Sequence, residues 1–168
     1  AFSLIELLVV IAIVSTLAVS GYLAYSAYIV RAQISEAFRV LDEYKVIAAS
    51  LLVRTGTITP YNVLFTDTDL SGFISGTPNG TSAVKQVSLK YINTIEAYSG
   101  VDGNGNTYIL LGVGLNNSVR VEPGADHVYV AGIQDSTGLF TWQCGSSVSQ
   151  ANTVSNIYLP ENCQTSLP

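Results

Sequence analysis

The 24 residues from Leu7 to Val30 include no Asp, Glu, Lys, Arg or His, and Glu6, just before them, is the only charge in the first thirty positions. An apolar run beyond roughly 18 residues reads as a membrane span. A secretory signal peptide places a basic segment before a shorter apolar run and a small-residue cleavage site after it, and that order is absent. The span starts at once, so the expectation is that a leader has already been removed. Composition points the same way: 11% of residues are charged and 48% are apolar, against about 25% charged in an ordinary soluble domain. A length of 168 residues fits one domain.

The basic residues Arg31, Arg39, Lys45, Arg54, Lys85, Lys90 and Arg120 are scattered, and the net charge is −5. Phosphate neutralisation requires clustered Lys and Arg, so no nucleic-acid partner is expected. There is no G-x-S-x-G, P-loop or G-x-G-x-x-G stretch, and the single histidine, His127, falls on a predicted strand where it reads as a surface or core residue rather than a base. Cys144 and Cys163 both lie near the C-terminus. In an extracytoplasmic domain on a membrane anchor the oxidising compartment favours a disulfide between them. The alternatives are two free thiols or half of a metal site, for which one histidine leaves too few ligands. Closing that loop stabilises a fold by about 3 kcal/mol on the chain-entropy model.

Nothing from Ala1 to Arg54 stops a helix, and Gly21 is the only weak point. At about 1.5 Å per residue such a helix extends roughly 80 Å, so a ~30 Å hydrocarbon core covers only part of it. Residues 1–30 are apolar all round, as a membrane helix must be. Over residues 31–54, Ile34, Phe38, Leu41, Ala48 and Leu52 recur at helical spacing while Arg31, Glu36, Arg39, Asp42 and Glu43 take other faces, so this half packs on something apolar. Gly56 and Pro60 stop the helix. Residues 55–84, rich in Thr, Ser, Gly, Asn and Pro, read as an irregular connection. Four strand-like runs follow, Lys85–Tyr98, Asn106–Leu115, His127–Gln134 and Leu139–Cys144, separated by the turn-forming VDGNGN, NNSVRVEPGAD and QDSTG. Short loops join antiparallel neighbours. The predicted fold is α+β: a globular domain over 31–168, in which the C-terminal half of a long N-terminal helix covers a four-stranded antiparallel meander over 85–144, closed by a disulfide segment over 144–163.

At both ends the chain is similar to a known family. AFSLIELLVVIAIV resembles the mature start of type IV pilins: an aromatic residue, a Thr- or Ser-Leu-Ile-Glu core, then an apolar helix. Trp142-Gln143-Cys144 and Tyr158-Leu159-Pro160-Glu161-Asn162-Cys163 are similar to the closing disulfide segment of type IVa pilins, with a tryptophan before the first cysteine and a YLP-like tripeptide before the second. The resemblance implies the major structural subunit of a type IVa-like pilus, neither an enzyme nor a carrier of a cofactor. Its implied partners are further pilin subunits, a prepilin peptidase, an ATPase-driven assembly machinery and the inner membrane. It implies storage in that membrane, then polymerisation through the N-terminal helix into an extracellular fibre serving twitching motility, adhesion or DNA uptake. By position Glu6 corresponds to the family's assembly glutamate, and Phe2 to the usual first mature residue, whose amino group is methylated after cleavage. Two positions depart from the pattern. Ala1 makes the glutamate sixth rather than fifth, so either the peptidase cuts one residue earlier here or Ala1 belongs to this chain's own processing. Leu23 stands where many pilins have a proline associated with a melted stretch of helix.

A carboxylate near the bilayer interior costs on the order of 2.5–3.5 kcal/mol, so Glu6 needs a partner or water. The cation that recurs with every subunit is the α-amino group, and Glu6 is expected to pair with that of a neighbour at Ala1. The alternative is a hydrated carboxylate at headgroup level, since five residues of helix reach only about 7–8 Å. Asp67-Thr68-Asp69-Leu70-Ser71-Gly72 matches the first half of a calcium loop, but Pro78 stands where the bidentate acid belongs. Asp102–Asn106 lacks the glycine at the sixth place, so both also read as ordinary turns and no metal site is assigned. Asn79-Gly80-Thr81 and Asn116-Asn117-Ser118 fit the N-glycosylation pattern. Two other functions stay open: a minor pilin or type II secretion pseudopilin, and a monomeric membrane-anchored binding module. The cysteine pair argues against the major pseudopilin.

Overall fold

The computed structural model of the chain describes residues 3–56, 73–76, 82–119, 121, 124–147 and 152–167. Its first element, α1 (Leu4–Thr55), is one continuous α-helix of 52 residues, about 78 Å long. The helix runs unbroken through Gly21 and Leu23. A mid-helix glycine costs roughly 1 kcal/mol, yet it keeps its backbone donor, which a proline would lose. Gly56 ends α1 with φ at 69° and its N–H on the Leu52 carbonyl at 2.9 Å. Only a residue without Cβ adopts that left-handed cap freely.

The surroundings of α1 change at Val30. The described side chains from Ser3 to Ser26 are all exposed, whereas Val30, Ile34, Ala37, Leu41 and Ala48 are buried. Their spacing of three, four and seven residues draws one stripe along the helix.

That stripe lies on a seven-stranded sheet whose spatial order follows the chain: β1 (Phe73–Gly76), β2 (Ser82–Gln86), β3 (Ile92–Val101), β4 (Thr107–Leu115), β5 (His127–Gln134), β6 (Phe140–Ser147) and β7 (Thr165–Leu167). β1 to β6 are antiparallel, and β7 lies parallel to β6. The class is α+β as expected, with the meander β3–β6 at the centre and further strands at both edges. The run expected as one strand over Lys85–Tyr98 is two. Val87 N–H donates to Asn93 O at 2.9 Å and Leu89 N–H to Ile92 O at 3.1 Å, closing a turn that has neither glycine nor proline to betray it. The connection expected to be irregular over 55–84 contains β1 and the start of β2.

Strand periodicity sends alternate residues to opposite faces. Ile95, Ala97, Ile109, Leu111, Val113, Val128 and Val130 bury one face against α1 and form the main core. On the other face Leu110, Tyr129, Ala131 and Leu167 form a second buried cluster flanked by Tyr98, Tyr108 and Ile133. The Tyr129 ring lies across Gly112, its register partner on β4, where a Cβ would run into it.

The helix stripe is the cover of the main core, so deletions along α1 separate by burial rather than by chemistry. Leu41→Ala, at a fully buried position, is expected to lower stability by about 2–5 kcal/mol. Val46→Ala, on the exposed side of the same helix, changes it by no more than about 0.5 kcal/mol. Urea unfolding of the two variants checks this, and equal effects would remove the stripe from the core.

Candidate assembly helix and closing segment

Glu6 sits in the first turn of α1, exposed, its N–H donating to Ser3 O at 3.1 Å. A carboxylate there faces the positive end of the helix dipole. Glu6 makes no ion pair among the described residues. The pairs formed are Lys45 with Asp42, and His127 with Glu96 and with Asp126. Ala1 and Phe2, expected to take part in assembly, lie outside the described residues. Beyond Glu6 the exposed surface is apolar, from Leu7 and Leu8 to Leu17 and Val19. Its hydroxyls turn back on the backbone: Ser15 donates to Ile11 O at 2.6 Å, Thr16 to Ile13 O at 2.9 Å and Ser20 to Leu17 O at 3.0 Å. Those donors are therefore satisfied without water, which any water-free surroundings require.

At the other end of the chain Cys144 and Cys163 are joined in a disulfide with a sequence separation of 19. The loop it closes is woven into the domain at several points. His127 N–H donates to Asn152 O and Val154 N–H to His127 O, both at 2.8 Å, bridging the loop to the start of β5. Two short 3-10 helices follow, Asn156–Tyr158 and Glu161–Cys163. On the first, Ile157 O accepts from Arg31 Nε at 3.2 Å and Nη2 at 3.0 Å, next to the buried Val30, so the tail grips α1 where it leaves the domain. Beyond the disulfide the Thr165 hydroxyl donates to Cys144 O at 2.7 Å, and the Thr165 backbone passes so close to Gly145 that no Cβ fits there. Trp142 is packed beside the crosslink, edge-on to Phe140 at 5.2 Å, with Lys45 Nζ 5.6 Å from its ring centre.

A polar cluster that no local pattern announces lies on the sheet face away from α1. His127 Nε2 lies 3.2 Å from Glu96 Oε1 and Nδ1 lies 2.8 Å from Asp126 Oδ1, while the Tyr98 hydroxyl donates to Glu96 Oε2 at 2.9 Å. The Tyr129 ring stacks on the imidazole at 6.0 Å. Burial pulls the His127 pKa down, but the two carboxylates outweigh it and the net shift is upward. Burial likewise pushes Glu96 up, and the hydrogen bonds and charge of His127 with the Tyr98 hydroxyl more than offset it, leaving Glu96 below the usual range. Burial and the Glu96 carboxylate push the Tyr98 phenol up to about 12. The only signal in the sequence was a glutamate placed inside a strand and a histidine opening another.

The turn at Asp102 spends its carboxylate on its own backbone. Oδ1 accepts from the N–H groups of Asn104 and Asn106 at 2.9 Å each, and Oδ2 from Asn106 Nδ2 at 3.0 Å. The stretch Asp67–Gly72 and the sequon at Asn79 lie outside the described residues. In the other sequon Asn116 Nδ2, the atom a glycan would occupy, donates to Lys90 O at 2.8 Å and braces the turn between β2 and β3.

A helix that packs on an antiparallel sheet with one half and stays uncovered with the other, above a disulfide-closed tail, is the architecture of a filament subunit. The family model of pilins, bacterial filament proteins, matches residues 30–164. The chain belongs to the pilin family, a family of structural subunits and not of enzymes. It is 29% identical to a fimbrial protein of Neisseria meningitidis serogroup A over 152 residues, covering 90% of this chain and 76% of that one. It is 28% identical to the fimbrial protein EcpC of Eikenella corrodens over 97% of this chain and 89% of that one. With the type IV major pilin protein PilE1 of Neisseria gonorrhoeae the identity is 26% over 90% of this chain and 78% of that one. No solved structure gives a significant match.

A raised histidine contributes stability below its ordinary value of 6.5 and loses it as pH rises through the folded pKa, and a lowered glutamate contributes above 4.5 and loses it as pH falls. The pair therefore acts fully between those values. Urea midpoints measured from pH 4 to 9 should peak inside that window, and His127→Gln should flatten the profile. Reducing the disulfide, or replacing both cysteines by serine, is expected to cost about 3 kcal/mol, read as a lower urea midpoint with the helix signal retained in circular dichroism.

Proposed function

We propose that this chain is the major subunit of a type IV pilus, held in the inner membrane by the apolar half of α1 and then polymerised through that same half into an extracellular fibre. The observation that carries this is the apolar surface left uncovered along the described residues from Ser3 to Ser26, beside a stripe that is buried from Val30 onward. Acyl chains cover it in the membrane, and the helices of neighbouring subunits cover it in the fibre. Both surroundings exclude water, so one surface serves both. A prepilin peptidase and a separate ATPase-driven machinery carry out processing and extrusion, since the chain brings no chemistry of its own to either. The likeness to a protein named as a type IV major pilin favours the major subunit over a minor one. Motility, adhesion and DNA uptake are the tasks such a fibre would serve.

Glu6 in this reading pairs with the α-amino group of a neighbouring subunit, at Ala1 or Phe2, so that both charges are buried only when the helices stack in the correct stagger. Glu6→Gln keeps the shape and removes the charge. In the native host this variant is expected to reach the membrane at normal levels. Sheared surface filaments, counted by electron microscopy and immunoblot, should fall at least about tenfold, the effect of ~1.4 kcal/mol of lost pairing per subunit. A normal filament yield would sink the pairing. In the unsubstituted strain long filaments made mainly of this chain support the major-subunit reading; a trace component would point to a minor pilin, and a membrane-bound monomer to an anchored binding module.

A further inference from the structure

We propose that the junction between the anchor and the globular domain is a lipid-interface collar, in which Tyr22, Tyr25 and Tyr28 of α1 and Ile157 of the C-terminal segment sit together in the headgroup and glycerol layer, so that the stored subunit rests on the bilayer instead of standing off it. The proposal rests on the membrane-storage reading above and adds where the membrane surface meets the protein.

The first argument is depth. Tyr22, Tyr25 and Tyr28 are 64%, 63% and 69% exposed, and they lie 18 to 24 residues beyond Leu4, the start of α1. At 1.5 Å per residue that is about 27–36 Å, which brackets a hydrocarbon core of about 30 Å. Tyrosine, with an apolar ring and a polar tip, concentrates at that boundary. Residues three apart step about 60° around a helix, so the three rings wrap roughly a third of it instead of lining a single seam.

The second argument is the domain's own surface at that level. An open groove between α1 and the tail is lined by Tyr22, Tyr25, Val30, Gln33, Ser118 and Tyr158. Beside it Ile157 is 58% exposed, on a short 3-10 helix whose Ile157 carbonyl is held by two guanidinium nitrogens of Arg31. It is a fixed apolar protrusion at the height of the tyrosines. Charge agrees: neither Tyr22–Gln33 nor Asn156–Pro160 contains an acidic residue, although the chain as a whole carries −5. Those two segments thus bring no carboxylate that anionic headgroups would repel.

The test uses the full chain in vesicles of phosphatidylcholine and phosphatidylglycerol at low protein density. Trp142→Phe supplies a background with no other tryptophan, and nitroxide lipids labelled at acyl carbon 5 or 12 report depth. Ile157→Trp should be quenched several-fold more by the carbon-5 label than by the carbon-12 label. Val14→Trp, mid-anchor, should show the reverse, and Val101→Trp, on the far end of β3, should not be quenched. If Val14→Trp is quenched and Ile157→Trp is not, the collar fails while the anchor stands. If Val14→Trp is not quenched, the anchor reading itself fails. Protection of Ile157→Trp that appears only as protein density rises means that a second copy covers the junction, and overturns the proposal. Should Trp142→Phe unfold the domain, Ile157→Trp is read as the difference from the unsubstituted chain.

Discussion

Packing of the Val30–Ala48 stripe on the inner face of the sheet governs the rest of the molecule, because α1 is at once the cover of the core and the carrier of the exposed half. A continuous helix transmits direction. From Val30 back to Leu4 the free arm is about 39 Å long, so a 10° error in how the stripe seats on the sheet displaces the first turn by roughly 7 Å, more than a helical turn. The fully buried Ile34, Ala37, Leu41 and Ala48 therefore do two jobs: they exclude water from the core, and they aim the arm. The absence of a break at Gly21 and Leu23 makes that aim exact over the whole length of the helix in this state.

The C-terminal segment fixes the same geometry from the opposite side. Arg31 stands next to Val30, the stripe's N-terminal end, and its two bonds to Ile157 O hold the exit of α1 against a loop that the Cys144–Cys163 disulfide and the bridge at His127 hold against the sheet. The close passage of Thr165 over Gly145 lets β7 extend the sheet in parallel. Crosslink, arginine clamp and parallel strand each act on a different point of one loop, so the loop cannot shift without loosening the helix exit. Placing the crosslink in the tail rather than across the helix leaves the exposed arm with no covalent constraint.

Much of this was legible in the residues because it is periodic or compositional. The change from an unbroken apolar run to a helical stripe marked the two halves of α1, the alternation from Asn106 to Cys144 marked the central strands, and the cysteine pair marked the closure. What stayed hidden lacks such a signal. The turn after Val87 has no glycine or proline, so Lys85–Tyr98 read as one strand; β1 and β7 are edge strands of only four and three residues, too short to show a period. The Glu96–His127 contact joins residues on two strands separated by a third, and no local pattern encodes it. The role of Arg31 was equally invisible, since a lone arginine on a helix reads as a solvated charge until the tail is seen to return to it.

Glu6 is the place where the physics of the two surroundings differs most. In the proposed stored subunit it lies in the first turn of α1, within about 3 Å of Leu4 along the axis, where headgroup water and the helix dipole tolerate a carboxylate. In the proposed polymer the same position is carried into a water-free helix bundle, where an unpaired carboxylate costs on the order of 2.5–3.5 kcal/mol, equivalent to a discrimination of roughly a hundredfold per subunit. A purely apolar helix would slide along its neighbours at little cost, because Leu, Ile and Val packings at adjacent registers are nearly equivalent. Under the proposed assembly, one charge that is cheap before assembly and expensive when misplaced would convert a slippery apolar surface into one with a preferred stagger, without adding a single contact to the folded domain.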